Sequence, residues 1–491
     1  MNLWGLIERS FHKNADRPAF IDPSGSLVRY GDLREIVLRT AENFRSTIPA
    51  GSCVAILDEL PYMEAIYALA LISLNVTVIP LSPKYGEQRC VQIIEQTKPD
   101  FLVSSSDAYL PSSVKDACKA EKTAIVTPDS VSSGERQPTA DPLSVRSSMP
   151  ASFVMYTSGS TGKPKGTILT YDNVKANMED IERYFGLTSD DHILINRSLS
   201  HASVMTGEFL LGCVCGAQIT FYNEPFMPRR LLSFMEKEQI TVFCTTPTVF
   251  YQLAMDKVER VLPKLRKVAL MGEYLHKQVA LKISEKFPHV SFYMLYGQTE
   301  ASPRITYLPP DYFTVKEGCI GIPIASMQAE IIDEEGNRLG IGEKGELIVK
   351  GPNVFLGYWE NPELTAKKLK DGWLYTGDVV YRGEDNFLYI EGRKDDMIIR
   401  AGMNIYPKEI EDVLLEDERI RECVVSGAAD PRYGQKLQVS VVPHPDLVLT
   451  SADVIDLCKS RLASYQFPDI VQIVSEIPRN SAGKIMRRQP V

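Results

Sequence analysis

Residues 156–166 read YTSGSTGKPKG, crowding hydroxyls, glycines and lysines into one short stretch. Seven of the ten residues 157–166 are Gly, Ser or Thr. Glycines let a backbone turn its amides toward an anion, hydroxyls donate hydrogen bonds, and lysines add charge. Placed directly after the apolar run 153–156, the stretch is suited to gripping phosphate. A P-loop requires GxxxxGK followed by Ser or Thr. Here Gly162-Lys163 is followed by Pro164, so that reading fails at one residue. The stretch indicates a phosphate contact without saying which reaction uses it.

The elements that must position it alternate between helical and strand patterns. Apolar spacing predicts a helix over 30–44, a buried helix over 65–74, and short strands at 53–57, 76–81, 101–103 and 123–126. This alternation predicts an α/β architecture with largely parallel sheets. Residues 130–150 are polar and Ser/Pro-rich, which predicts a loop. The run 153–156 reads as a strand and 170–184 as a helix, so the phosphate motif is expected between a strand and a helix. Further strands are expected at 292–295 and 346–349, the latter in a β-rich segment punctuated by Gly336, Gly340, Gly342 and Gly345. Beyond residue 396 the pattern becomes a small α+β unit. It has a strand at 397–400, a helix opening at Pro407 and another at 454–462.

Bulk properties bound the function. With 491 residues the chain is long enough for two or more domains. A composition of 44% apolar and 24% charged residues is that of a soluble globular protein. The net charge of −9 argues against a general binder of nucleic acid or of anionic membranes. Nine cysteines without a CxxC pair argue against a disulfide framework or a zinc site. The first twenty residues lack the pattern of a signal peptide, and the longest apolar run, 65–74, is too short to span a bilayer. A cytoplasmic protein without a membrane span is expected.

Four more segments add to the opening motif: YGQTE at 296–300, YTGD at 375–378, GRKDD at 392–396 leading into NIYPKEIE at 404–411, and PRNSAGKI at 478–485. In this order, and over nearly the whole chain, they resemble the adenylate-forming superfamily of acyl-CoA synthetases, adenylation domains and luciferases. The resemblance implies a large N-terminal domain, 1–394, and a small mobile C-terminal domain, 395–491. It also implies a two-step reaction. A carboxylate attacks the α-phosphate of ATP, giving an acyl-adenylate and pyrophosphate. A thiol then displaces AMP.

The resemblance carries roles onto matching positions. Thr157, Ser158, Gly159, Ser160, Thr161 and Gly162 are expected around the β- and γ-phosphates, with Lys163 and Lys165 adding charge. Glu300 matches a Mg²⁺-binding glutamate, with Thr157 as an oxygen partner; Mg²⁺ needs few carboxylates and keeps its waters. Asp378 matches the ribose-binding aspartate, assisted by Arg393. Tyr296 matches the ring that stacks on adenine, flanked by Gly297, Gln298 and Thr299 and faced by Gly272, Glu273 and Tyr274. Lys484 matches the adenylation lysine and Asp395 the hinge. Ala401 and Gly402 fall in the glycine-rich turn that passes a pantetheine arm.

The acid is less legible. Its pocket is expected to use His201, Thr246, Val249, Met271, Gly272, Gln298 and Ala301. His201 stands where amino-acid-activating relatives place an aspartate for the substrate ammonium, which argues against a free α-amino acid. Met271 and Tyr274 replace the smaller residues of the usual GGxP pattern. Glu273, if buried, would suit a substrate with a hydroxyl or amino group away from its carboxylate. The resemblance implies an acid–thiol ligase using coenzyme A. The alternative is a stand-alone adenylating enzyme that loads the phosphopantetheine of a separate carrier protein, since no carrier domain follows Val491. A silent nucleotide-binding protein and a luciferase-like oxygenase are rivals that the chain does not demand. Lys484→Ala is expected to lower adenylation about 10²–10³-fold, the scale of one electrostatic contact to developing charge, while sparing thioester formation from supplied acyl-adenylate. Measuring the two half-reactions separately checks this, and an equal loss in both removes the role.

Overall fold

The computed structural model describes residues 2–128, 150, 152–158, 164–256, 262–400, 403–430, 432–445, 447–479, 485 and 487. Side chains of Ser158 and Asn404 are not among those described, and Gly159–Lys163, Ala401, Gly402 and Lys484 lie outside the described residues. The loop expected at 130–150 does so as well, except for Pro150.

Two large sheets carry the N-terminal part. One runs Gly357–Tyr358, Pro164–Thr170, Ser152–Ser158, Thr77–Pro80, Cys53–Ile56, Phe101–Val103, Ala124–Val126, and is parallel from Ser152–Ser158 onward. The second is parallel from Pro18–Ile21 through Gln218–Phe221, His192–Ile195, Val242–Thr245 and Lys267–Met271 to Ser291–Gly297. Beyond that strand every pairing is antiparallel, through Arg304–Leu308, Cys319–Pro323, Leu388–Arg393 and Trp373–Arg382 to Gly345–Lys350 and Gln328–Ile332. The parallel pairing expected from the first third of the chain and the β-rich segment expected around 336–349 are both present. Helices on both faces bury the Val-, Ile- and Leu-rich strands in one large core shared by the two sheets and a smaller core on the outer side of each. The helix Pro61–Ser73 between the sheets is buried on almost every side, which explains its uniformly apolar sequence.

The opening motif is placed differently from expectation. Ser152–Ser158 pairs antiparallel with Pro164–Thr170, with Thr157 opposite Lys165, so the motif joins two strands of a hairpin. Pro164 is tolerated as the first residue of a strand, and the β-branched run Thr167-Ile168 favours extended backbone. The following helix, Tyr171–Phe185, opens on a Thr170–Asn173 capping box that satisfies its own first amides. The described ends of the motif therefore lie on two strands, and the helix N-terminus that follows carries its own cap. Gly166 is required by packing: a Cβ there would lie 2.9 Å from the Tyr156 ring.

The C-terminal part has its own core of Ile398, Ile405, Ile410, Leu414, Val425, Val439, Val441 and Val454. The hairpin Ile398–Arg400 with Met403–Ile405, the helices Pro407–Leu415 and Ser451–Arg461, and the sheet Ile420–Asp430, Gly434–Pro443, Ile470–Ile473 surround it. Arg487 fastens the chain's end to it by pairing with the carboxylate of Glu411, which also accepts from Val425 N at 2.8 Å.

Candidate active site

The strand Ser291–Gly297 is where the second sheet changes from parallel to antiparallel pairing. A crevice at the C-terminal end of parallel strands is a common ligand position. Here it opens into a cavity of about 420 Å³. The hairpin contributes Thr157 and Lys165, the loop after Lys267–Met271 contributes Gly272–Tyr274, and the sheet turn contributes Tyr296–Glu300. Asp378, Arg393 and Asp395 close the circle from the antiparallel strands and the Lys394–Asp396 turn. Residues far apart in sequence and expected around one nucleotide thus share one cavity.

Asp378 is the best-anchored group in it. The residue is 3% exposed. Its Oδ2 accepts from Tyr296 Oη at 2.5 Å and Gln298 Nε2 at 2.7 Å, and its Oδ1 faces Arg393 Nη1 at 3.0 Å. The pair is a register pair of adjacent strands. Burial and then the neighbouring Asp378 anion push the Tyr296 phenol well above its ordinary range, so it keeps its proton and donates. The hydroxyl thereby fixes a ring that lines the cavity. Gly377 takes a positive φ of 77°, and a Cβ there would lie 3.2 Å from Arg393 Nη2. A glycine before Asp378 keeps that space open.

Glu300 Oε1 accepts from Tyr358 Oη at 2.7 Å, and Glu300 O accepts from Phe355 N at 2.9 Å. Glu300 and Thr157 both line the cavity. No group of three or more acidic, histidine or cysteine side chains suited to a metal occurs among the described residues. One carboxylate and one hydroxyl fit Mg²⁺, which takes most of its shell from phosphates and water.

The expected acid-pocket residues divide. Gly272 and Gln298 line the cavity; His201, Thr246, Val249, Met271 and Ala301 do not. Thr246 caps the helix Pro247–Ala254. Glu273 lines the cavity; its Oε2 accepts from Thr248 N at 3.1 Å and Thr248 Oγ1 at 2.6 Å, and its Oε1 faces Arg479 Nη1 at 3.4 Å. The carboxylate thus bridges a helix start and the C-terminal part. Tyr274, where the family pattern has proline, packs on His276 and lies under Lys408 Nζ at 4.3 Å. Lys408 Nζ also donates to Ile390 O at 2.8 Å, and Asp412 reaches His276 at 3.4 Å. The cavity wall is therefore also a docking face for the C-terminal part. Tyr358 and Lys368, which lies 3.1 Å from a Cβ built on Gly377, were not legible, because neither stands in a motif with a chemical signature.

A family model for AMP-binding enzymes matches residues 7–359, and one for the AMP-binding enzyme C-terminal domain matches residues 409–484. The chain belongs to the AMP-binding enzymes. It is 29% identical over 468 residues to a feruloyl-CoA synthase of an Amycolatopsis species, covering 94% of this chain and 93% of that protein. To a long-chain-fatty-acid–CoA ligase of Bacillus subtilis it is 32% identical over 453 residues, covering 86% and 77%. The fold superposes on o-succinylbenzoate coenzyme A synthetase from Bacillus subtilis in complex with ATP and magnesium ion. That match has a TM-score of 0.85 and 26% identity, over 99% of this chain and 98% of the other. These matches identify an AMP-forming acid–thiol ligase of the acyl-CoA synthetase type. No helix among the described residues is long and apolar enough to cross a membrane.

Arg479 joins Glu273 on the cavity wall to Glu422 Oε2, 2.9 Å away, in the C-terminal sheet. It stands in the same PRNSAGKI segment as Lys484. Arg479→Ala is expected to slow acid-dependent pyrophosphate exchange about tenfold, the worth of one charge-assisted contact. Arg479→Lys should recover part of the loss. Thioester formation from supplied acyl-adenylate should be unchanged, which a structural defect would not spare.

Proposed function

We propose that this enzyme activates a small-molecule carboxylic acid with ATP and transfers the acyl group to coenzyme A. The observation that carries the reading is Asp378, buried and held by Tyr296, Gln298 and Arg393, in the same cavity as Glu300 and Thr157. A carboxylate with two oxygens fixed in place suits the vicinal hydroxyls of a ribose, and Tyr296 offers its ring to the base. Thr157 and Lys165 then lie on the phosphate side of the nucleoside. Ser158, Gly159, Ser160, Thr161 and Gly162 complete the cradle by sequence.

In the first step a carboxylate oxygen bonds to the α-phosphorus, the bond to the bridging oxygen breaks, and pyrophosphate carries that electron pair away. Mg²⁺ held by Glu300 and Thr157 would neutralise charge on the phosphates. Lys484 would offset the meeting of two anions at the α-phosphate. In the second step a thiolate attacks the acyl carbon and AMP leaves. One site serves both steps if the part 395–491 changes its position relative to 1–394. We place that joint at Asp395, in the short turn between the two cores. Ala401 and Gly402 would border the pantetheine in the second arrangement. A second reading keeps this chemistry and takes the thiol from the phosphopantetheine of a separate carrier protein. Free thiols at all nine cysteines suit a cytoplasmic setting.

The test is pyrophosphate exchange across aliphatic, aromatic, hydroxy and amino acids, followed by thioester analysis with coenzyme A and with a loaded carrier. Exchange with at least one acid, acyl-CoA and AMP in equal amounts, and loss of exchange in Asp378→Ala are expected. Thioester on the carrier alone would replace the first reading by the second, and no exchange with any acid would remove both.

A further inference from the structure

A second polar cluster lies beside the end of the strand Lys267–Met271. Arg197, just after the strand His192–Ile195, donates from Nη2 to Glu208 Oε1 at 2.5 Å and contacts Met271 Sδ at 3.6 Å. Its Nη1 donates to Ser203 Oγ at 3.4 Å. Glu208 is 1% exposed on the π-helical stretch Met205–Leu210, a distortion that often marks functional positions. Arg304 is 4% exposed and approaches from the other side, its Nη2 being 3.1 Å from a Cβ built on Gly207. Met271 directly precedes Gly272, which lines the nucleotide cavity, and Ser203 follows His201 by two positions. The cluster therefore adjoins the residues expected to hold the acyl group.

Its hydrogen bonding is incomplete. Arg197 Nε, Glu208 Oε2, Arg304 Nε and Thr206 Oγ1 are buried and have no hydrogen-bond partner among the described residues. Buried polar groups are rarely left so, and each such group is costly. Charge is unbalanced too, with two guanidiniums against one carboxylate. Burial pushes the nearby Cys244 thiol and Tyr184 phenol upward, so neither supplies a second anion. An alkyl chain end would leave these donors unsatisfied. An oxygen at the far end of the acid would accept from them, and a carboxylate would also balance the charge.

We propose that Arg197, braced by Glu208, is a specificity-determining residue that selects acids carrying an oxygen acceptor at the end remote from the reacting carboxylate. This inference rests on the ligase reading above and names its substrate class. A site built around hydrogen bonds discriminates strongly against analogues lacking the partner, because its own groups are left unpaired.

The experiment compares kcat/KM for pyrophosphate exchange between matched acids: butanoate with succinate, pentanoate with glutarate and 4-oxopentanoate, hexanoate with adipate, and cinnamate with 4-hydroxycinnamate. In the wild-type enzyme the oxygen-bearing member of the best pair should exceed its partner by about 10-fold or more. Arg197→Met should bring that ratio near one, mainly by raising KM for the oxygen-bearing acid, while Arg197→Lys keeps part of the preference. Preference for the plain acids in the wild type would overturn the proposal, whatever the variants do. An equal fall for all acids in Arg197→Met, with Arg197→Lys behaving alike, would reduce Arg197 to a structural role and overturn it as well. Absence of exchange with every acid would instead overturn the ligase reading itself.

Discussion

The arrangement of the cavity depends on holding one carboxylate in a fixed orientation where water scarcely reaches it. Asp378 is 3% exposed, and an unpaired charge there would be expensive. Tyr296, Gln298 and Arg393 meet that cost with three donors, each from a different structural origin. Tyr296 comes from the last parallel strand, Gln298 from the turn after it, and Arg393 from the neighbouring antiparallel strand. The carboxylate thus ties the parallel and antiparallel halves of the second sheet together at the cavity. Gly297 permits this closure: a Cβ there would lie 1.8 Å from Pro303 O, so no larger residue fits beside the turn.

The same cavity wall serves as the seat of the C-terminal part. Glu273 receives Arg479, Tyr274 lies under Lys408, and His276 meets Asp412. These contacts are polar, and Lys344 adds another by reaching Glu409 at 3.7 Å. Separate cores lie before and after the short turn Lys394–Asp396, the arrangement that the repositioning proposed above would use. Glu273 links the cavity wall to both the helix beginning at Pro247 and Arg479 of the C-terminal part.

Short buried strands such as Phe101–Val103 and helices with one apolar face such as Tyr30–Arg45 were legible, because burial on a regular backbone leaves a period in the sequence. Helix starts were less so. Ser451–Arg461 begins before its first apolar residue, since Thr450 and Asp453 build a polar capping box. The hairpin around the phosphate motif was misread because Thr167-Ile168-Leu169 runs directly into the Thr170 cap of a helix. Glu300 and Asp378 could be found only through the resemblance, as a single carboxylate carries no period. Arg197, Glu208 and Arg304 escaped because they come from a loop, a π-helical stretch and a strand that only the folded chain brings together.

The central claim is that the acid's own oxygen forms a bond to the α-phosphorus of ATP. The most direct measurement uses an accepted acid labelled with ¹⁸O in its carboxylate, followed by mass analysis of the products after complete conversion to thioester. The account predicts one labelled oxygen in AMP and none in pyrophosphate. Label in inorganic phosphate, or ADP as the nucleotide product, would place the attack at another phosphorus and contradict it.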